Sequence, residues 1–162
     1  MNHSPEPREI TTRFEKLLAA LAVDQVDFAA VGGLAVIFNG YPRLTLDADI
    51  LVADTPENLH RLIACLTKWG EGWARELKPE DFSNLVGAVR VAEDFELDIF
   101  TRMNDKSLAD FRPRLRYLQT GMSRIAYLSP ADLIFLKQGS WREKDQFDVQ
   151  AMREIIAREA GK

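Results

Sequence analysis

Cysteine and histidine are nearly absent from the sequence, and their scarcity removes whole classes of chemistry. Among 162 residues there is one cysteine, Cys65, and there are two histidines, His3 and His60. A single cysteine cannot form an internal disulfide. Its neighbours Leu62, Ile63 and Leu66 make it a small buried hydrophobe rather than a nucleophile. One histidine lies in the polar opening stretch and the other among charged residues, which argues against histidine-rich zinc sites and Ser-His-Asp triads. No apolar run approaches the roughly 20 residues that cross a bilayer. The start, Met1-Asn2-His3-Ser4-Pro5-Glu6-Pro7, has no apolar secretory core. The sequence therefore reads as cytoplasmic, with no membrane partner, no internal repeat and no low-complexity segment.

Charge of one sign is not in large excess either. The formal net charge is -4, which argues against a general nucleic-acid coat. The balance is uneven, however. From Phe100 to Ser129 stand Arg102, Lys106, Arg112, Arg114, Arg116 and Arg124 against Asp105 and Asp110, a local excess of four positive charges. The plain reading is a solvated loop and helix face. The sharper one is a surface that steers a polyanion, RNA or a triphosphate, toward a neighbouring site.

Ile10, Phe14, Leu17, Leu18 and Leu21 recur at helical spacing, so an amphipathic helix opens the chain. Residues 26–31 form a short buried strand ended by Gly32-Gly33, and residues 34–38 a helix stopped by Asn39-Gly40-Tyr41-Pro42. Residues 48–53 form a second strand. Thr55-Pro56 starts a capped helix that stops near Gly70, and residues 71–87 carry no clear pattern. Residues 87–92 and 95–100 read as two strands joined by Glu93-Asp94. Residues 123–128 follow as a short edge strand. Ser129-Pro130 opens a helix through Lys137, and a last helix begins near Lys144. The order predicts an α/β (α+β) fold: a mixed central sheet flanked by helices, with residues 1–162 as one domain.

Within this order Asp47 and Asp49 carry the chemistry. Residues i and i+2 of a strand share a face, so both carboxylates project together while Ala48, Ile50 and Val52 turn to the core. Two adjacent carboxylates repel, and a divalent cation removes that cost. Mg²⁺ (or Mn²⁺) suits oxygen donors and leaves positions for phosphate. Glu96 and Asp98 repeat the spacing on a later strand. If the strands are neighbours a third carboxylate joins the pair, and Asp98, deeper in the apolar run, is the better candidate. Three carboxylates around metal suit in-line displacement at phosphorus. Gly32-Gly33 at a strand-to-helix junction lets backbone approach a phosphate. Arg43 and Thr45 offer a guanidinium fork and a hydroxyl, and Lys137 a charge for a triphosphate; the plainer account of Lys137 is a snorkelling lysine at a helix end.

These residues, Val31-Gly32-Gly33 followed by Arg43-Leu44-Thr45-Leu46-Asp47-Ala48-Asp49 and then Glu96-Leu97-Asp98-Ile99-Phe100, resemble the minimal nucleotidyltransferases of the DNA polymerase β superfamily. Within it the likeness is to the bacterial abortive-infection and toxin-type nucleotidyltransferases and their small uncharacterised relatives. Lys137 followed by Arg142-Glu143-Lys144-Asp145-Gln146-Phe147-Asp148 is similar to the family's lysine and its Arg-x-Lys-Asp-x-x-Asp. The resemblance spans about residues 26–150. It implies metal binding by Asp47, Asp49 and Asp98, and nucleotide binding by Gly32, Gly33, Arg43, Thr45, Lys137 and Asp148. The trailing aspartates would order the site from the last helix. The implied activity is transfer of a nucleoside monophosphate from an NTP to a hydroxyl of RNA (tRNA) or protein. A toxin with an antitoxin partner is the implied setting. One departure is Gly33, which stands where the family often has a phosphate-binding serine. That departure suits the alternative, an inert nucleotide- or partner-binding module of the same fold.

Overall fold

The computed structural model describes residues 7–83, 87–92 and 96–161, and side chains from Arg13 onward. The expected Glu93-Asp94 join, Phe95 and the Ile10 side chain lie outside the described residues. Six helices and six strands follow in the order α1 (Pro7–Val23), β1 (Phe28–Val31), α2 (Gly32–Phe38), β2 (Asp47–Val52), α3 (Pro56–Thr67), β3 (Val89–Ala92), β4 (Glu96–Phe100), α4 (Leu108–Phe111), β5 (Arg116–Thr120), β6 (Ser123–Tyr127), α5 (Pro130–Lys137) and α6 (Glu143–Ala160). Short 3₁₀ turns, Trp73–Glu76 and Pro79–Phe82, occupy the stretch that carried no clear pattern.

The strands form one mixed sheet in the order β3-β4-β2-β1-β6-β5. The central pair β2 and β4 is parallel, and β1 runs antiparallel to β2. Ala48, Ile50 and Val52 are buried on the face away from Asp47 and Asp49. Leu51, on the carboxylate side, is buried too, because the sheet is covered there as well. Helix α1 packs against α3, while α2, α5 and α6 touch one another and form the second group. Cys65 lies in the core, and burial, followed by the nearby Asp24, pushes its thiol up to about 12. It stays a thiol at neutral pH.

Helix starts follow the sequence signals. Thr55 Oγ accepts from Asn58 N at 3.3 Å and Ser129 Oγ from Asp132 N at 3.2 Å, each with proline next. Asn58 then does more than occupy a helix. Its side chain is buried, accepts from Asp27 N and donates to Asp27 O and Ala53 O, which ties the entry of β1 to the exit of β2.

Two expectations change. Residues 123–127 are not an edge strand: β6 lies between β1 and β5, with Ile125 and Tyr127 buried. The edge is β5, inside the basic stretch read as loop and helix face. Of its residues Arg116-Tyr117-Leu118-Gln119-Thr120, the partly buried face sets Leu118 between Arg116 and Thr120, so no apolar alternation marks the strand, and charge on an edge strand discourages further pairing. The two glycines of the junction also sit inside the first turn of α2 rather than ahead of it.

Candidate functional site

Sheet register builds the site. Pairing of β2 with β4 sets Asp49 opposite Asp98 and Asp47 opposite Glu96. On the far side of β4, Arg90 of β3 stands opposite Asp98. On the near side of β2, Val31 of β1 stands opposite Asp49. One row of the sheet thus reads Arg90, Asp98, Asp49, Val31, and the chain turns into Gly32 beside the Asp49 carboxylate. Asp47, Asp49 and Asp98 each bring a carboxylate oxygen within 4.8 Å of the others. Glu96 is exposed at the rim.

Asp49 is the member of the trio whose surroundings oppose its charge. Burial first, and then the charges of Asp47 and Asp98, push Asp49 up to about 7, with Lys137 pulling the other way. A carboxyl that retains its proton near neutrality marks surplus negative charge. A hard divalent cation supplies the charge that such a set of oxygen donors lacks, so these residues fit Mg²⁺ or Mn²⁺. Among the described residues, no lysine or arginine forms an ion pair with Asp47 or Asp49.

Gly32 and Gly33 are required for a reason that spacing alone does not show. Gly32 has φ +61, and a Cβ there would collide with Asp49 Oδ2. A Cβ on Gly33 would strike the Arg43 guanidinium and lie 2.8 Å from Thr45 Oγ1. The turn is therefore pressed against the carboxylates and against the segment that leads into them. Thr45 is buried and its hydroxyl donates to the Asp47 carbonyl at 3.0 Å, fixing the entry to β2.

Across the cleft lies a second group of acids, and it is saturated. Asp148, 1% exposed, accepts from Arg43 Nε at 3.1 Å and from Lys137 Nζ at 2.8 Å. Lys137 also donates to Asp145 Oδ1 at 3.1 Å, and Ser140 Oγ to Asp145 Oδ2 at 2.9 Å. Burial pushes Asp145 up, but the hydrogen bonds from Ser140 and Lys137 and the charges of Lys137 and Arg142 together hold it below the usual carboxylate range. Lys137 reaches the cleft from this network; it is no snorkelling surface residue. Arg43 and Asp148 pair beside Gly33 and line an adjoining cavity of about 550 Å³ with Tyr41, Lys144 and Phe147, and Arg43 Nη1 is buried and unpartnered.

The cleft between the two acid groups has a volume of about 400 Å³ and is lined by Gly33, Thr45, Asp47, Asp49, Asp98 and Lys137 among others. A neighbouring cavity of about 820 Å³ shares Phe100, Met103 and Leu136 with it. Arg90 is the site residue that the spacing did not reveal; its signal was the hairpin register that sets it across from Asp98. The basic stretch, in contrast, spends much of its charge inside the protein. Arg112 pairs with Asp27, Arg114 with Asp132 and Arg116 with Glu159, while Arg124 stacks 4.0 Å over the Tyr117 ring.

The geometry can be set beside known proteins. The family model described as nucleotidyltransferase of unknown function (DUF6036) matches residues 9–158. No curated protein matches the sequence. Solved structures share the fold. The lincosamide antibiotic adenylyltransferase LnuA, bound to lincomycin, aligns with TM-score 0.62 and 16% identity over 95% of this chain and 99% of its own. A candidate nucleotidyltransferase from Thermotoga maritima gives 0.57 and 16% over 96% and 98%. An antigenic nucleotidyltransferase-like protein from Paracoccidioides brasiliensis gives 0.56 and 19% over 90% and 75%. At these identities the structures speak for the mixed-sheet fold, and the family match covers nearly the whole chain. The chain belongs to the nucleotidyltransferase family of unknown function DUF6036, and it is a nucleotidyltransferase.

Proposed function

We propose that the protein moves a nucleoside monophosphate from an NTP to an acceptor hydroxyl, with Mg²⁺ (or Mn²⁺) held by Asp47, Asp49 and Asp98. The observation that carries this reading is the meeting of three carboxylates within 4.8 Å, one of them pushed up to about 7. A divalent cation bound there would activate the acceptor hydroxyl and neutralise charge on the triphosphate. In the transfer, the acceptor oxygen forms a bond to the α-phosphorus while the bond from that phosphorus to the β-phosphate oxygen breaks. Pyrophosphate leaves, and Asp98 takes the hydroxyl proton. Gly32, Gly33 and Thr45 form the wall against the triphosphate, and Lys137 offers it a positive charge already aimed by Asp145 and Asp148. Arg43 and Asp148 act through position: they hold the turn and the lysine.

Two acceptors stay in view. The family resemblance favours an RNA (tRNA) or protein hydroxyl, in a toxin with an antitoxin partner. A small hydroxylated molecule is favoured by the half-open cavity of about 820 Å³ that lies beside the carboxylates and shares Phe100, Met103 and Leu136 with their cleft. The fold likeness to LnuA, whose structure carries lincomycin, points the same way. Incubation of the protein with NTPs labelled at the α-phosphate, together with RNA, protein or small-molecule extracts, tests the reading. Label should move to one fraction, require the divalent cation, stop with EDTA and be lost in Asp49→Ala. Nucleotide binding without transfer to any fraction would instead establish the inert module.

A further inference from the structure

Within the chain itself Asp98 has a cationic partner. Arg90 Nε donates to its Oδ1 at 2.8 Å and Arg90 Nη2 to its Oδ2 at 2.9 Å, a two-pronged clasp that engages both oxygens of the carboxylate. The same guanidinium touches a second acceptor, since its Nη1 is 3.5 Å from Glu96 Oε2. The two acceptors differ. Asp98 is 13% exposed in its side chain and shares its surroundings with Asp49, whereas Glu96 is 51% exposed at the rim. Arg90, 53% exposed, belongs to a strand at the sheet edge, so its side chain is free to turn outward without disturbing the core. The register explains the arrangement. Arg90 faces Asp98 directly across β3 and β4, and Glu96, two residues earlier on β4, lies on the same face.

A guanidinium that binds both oxygens of Asp98 competes with a divalent ion for that carboxylate, because the two cations repel and need the same lone pairs. We propose that Arg90 is a resident counter-cation of the metal site: it holds Asp98 until a divalent cation arrives, then passes to Glu96. Arg90 and Glu96 are thus positioning residues that set how tightly the carboxylates take the ion. The exchange rests on reading Asp47, Asp49 and Asp98 as a cation site. It assigns a role to Glu96, which the sequence pattern leaves as ordinary surface.

The test is calorimetric titration of Mn²⁺ into the nucleotide-free protein at pH 8, with thermal stability of each variant recorded alongside. Arg90→Gln removes the competitor, so Mn²⁺ should bind about threefold to tenfold tighter, the scale of a partly solvated ion pair. Glu96→Gln removes the landing place and should weaken binding by a smaller factor, about twofold to threefold. Opposite signs from two neighbouring variants are not what a general loss of structure gives. Should Arg90→Gln fail to fold, Arg90→Lys, which keeps charge but loses the fork, should give an intermediate tightening. Equal or weaker binding in Arg90→Gln, with Mn²⁺ binding to the unaltered protein intact, overturns the exchange and leaves the cation site standing. No Mn²⁺ binding in any of the proteins overturns both.

Discussion

Two acid groups stand on either side of one cleft, the second reaching it through Asp145 and Lys137, and they are built on opposite terms. Asp145 and Asp148 meet Arg43, Lys137 and Ser140, so nearly all of their charge is answered by the chain itself. Asp47 and Asp49 meet no such partner among the described residues, and Asp98 meets only the half-exposed Arg90. One group is finished and the other is short of positive charge. The finished group is structural: it fixes Lys137 and braces the glycine turn through Arg43. On the proposed reading the deficient group is where an ion binds, because packing aspartates together without counter-charge costs stability that function would repay. The same residue type, aspartate, is a charge-paired anchor in one group and the proposed cation ligand in the other.

The largest effect should come from the deficient side. Asp49→Asn is expected to lower nucleotidyl transfer by about 10³-fold or more, since it removes a metal ligand at the reacting centre. The metal-free fold should at the same time be no less stable than before, because one of three repelling charges has gone. Steady-state rates and thermal melts of one preparation measure both. A variant that melts far below the unaltered protein would show that Asp49 is a structural anchor like Asp148.

Asp148→Asn should behave in the reverse way. It takes from Arg43 its charged partner and from Lys137 one of two, a change that costs about 3–5 kcal/mol when a buried pair is broken. At roughly 2–4 °C per kcal/mol for a chain of this size, the melting temperature should fall on the order of 10 °C. A shift of a degree or two would mean that the network is looser than its distances imply.

The two groups also predict opposite pH behaviour. Asp49, with an ordinary value of 3.8 raised to about 7, keeps in the folded state a proton that the unfolded chain releases. The stabilising contribution is therefore complete at the acid end and is lost as pH rises through about 7. In EDTA the protein should lose at most a few kcal/mol between pH 5 and pH 8 from this group, on the scale of about 1.4 kcal/mol per unit. Added Mg²⁺ should flatten the loss, and Asp49→Asn should abolish it. Asp145, held low, contributes the other sign: its stabilisation is present at neutral pH and fades as pH falls through the acid range.

How legible this was depended on whether the signal was local. The Asp-x-Asp pair, Glu96-x-Asp98 and the capped starts at Thr55-Pro56 and Ser129-Pro130 are patterns of one element, and period and capping chemistry reveal them. Arg90 could not be placed, because its meaning comes from a partner eight residues away, through the register in which β3 pairs with β4. Arg43 was visible as a cation near the site. Its tie to Asp148, over a hundred residues on, needs the final helix docked. The edge strand β5 escaped because its polar residues carry no period-2 apolar signal, and the cations around it hid their partners, Asp27, Asp132 and Glu159, in distant segments.

That basic stretch supplies the smallest effect and a third term for the comparison. Arg112 and Asp27 form a close pair in which both side chains are near half exposed, 49% and 41%. Water screens such a pair, so Arg112→Ala should cost no more than about 1 kcal/mol and move the melting temperature by only a few degrees. Because Arg112, Arg114 and Arg116 are engaged within the chain, they have little charge left to attract a polyanion. Affinity for a short RNA, measured by fluorescence anisotropy at two salt concentrations, should change less than twofold in Arg112→Ala, with an unaltered salt slope. A drop of tenfold together with a shallower slope would mean that these arginines leave their carboxylates for phosphate, and that the face is a nucleic-acid surface after all.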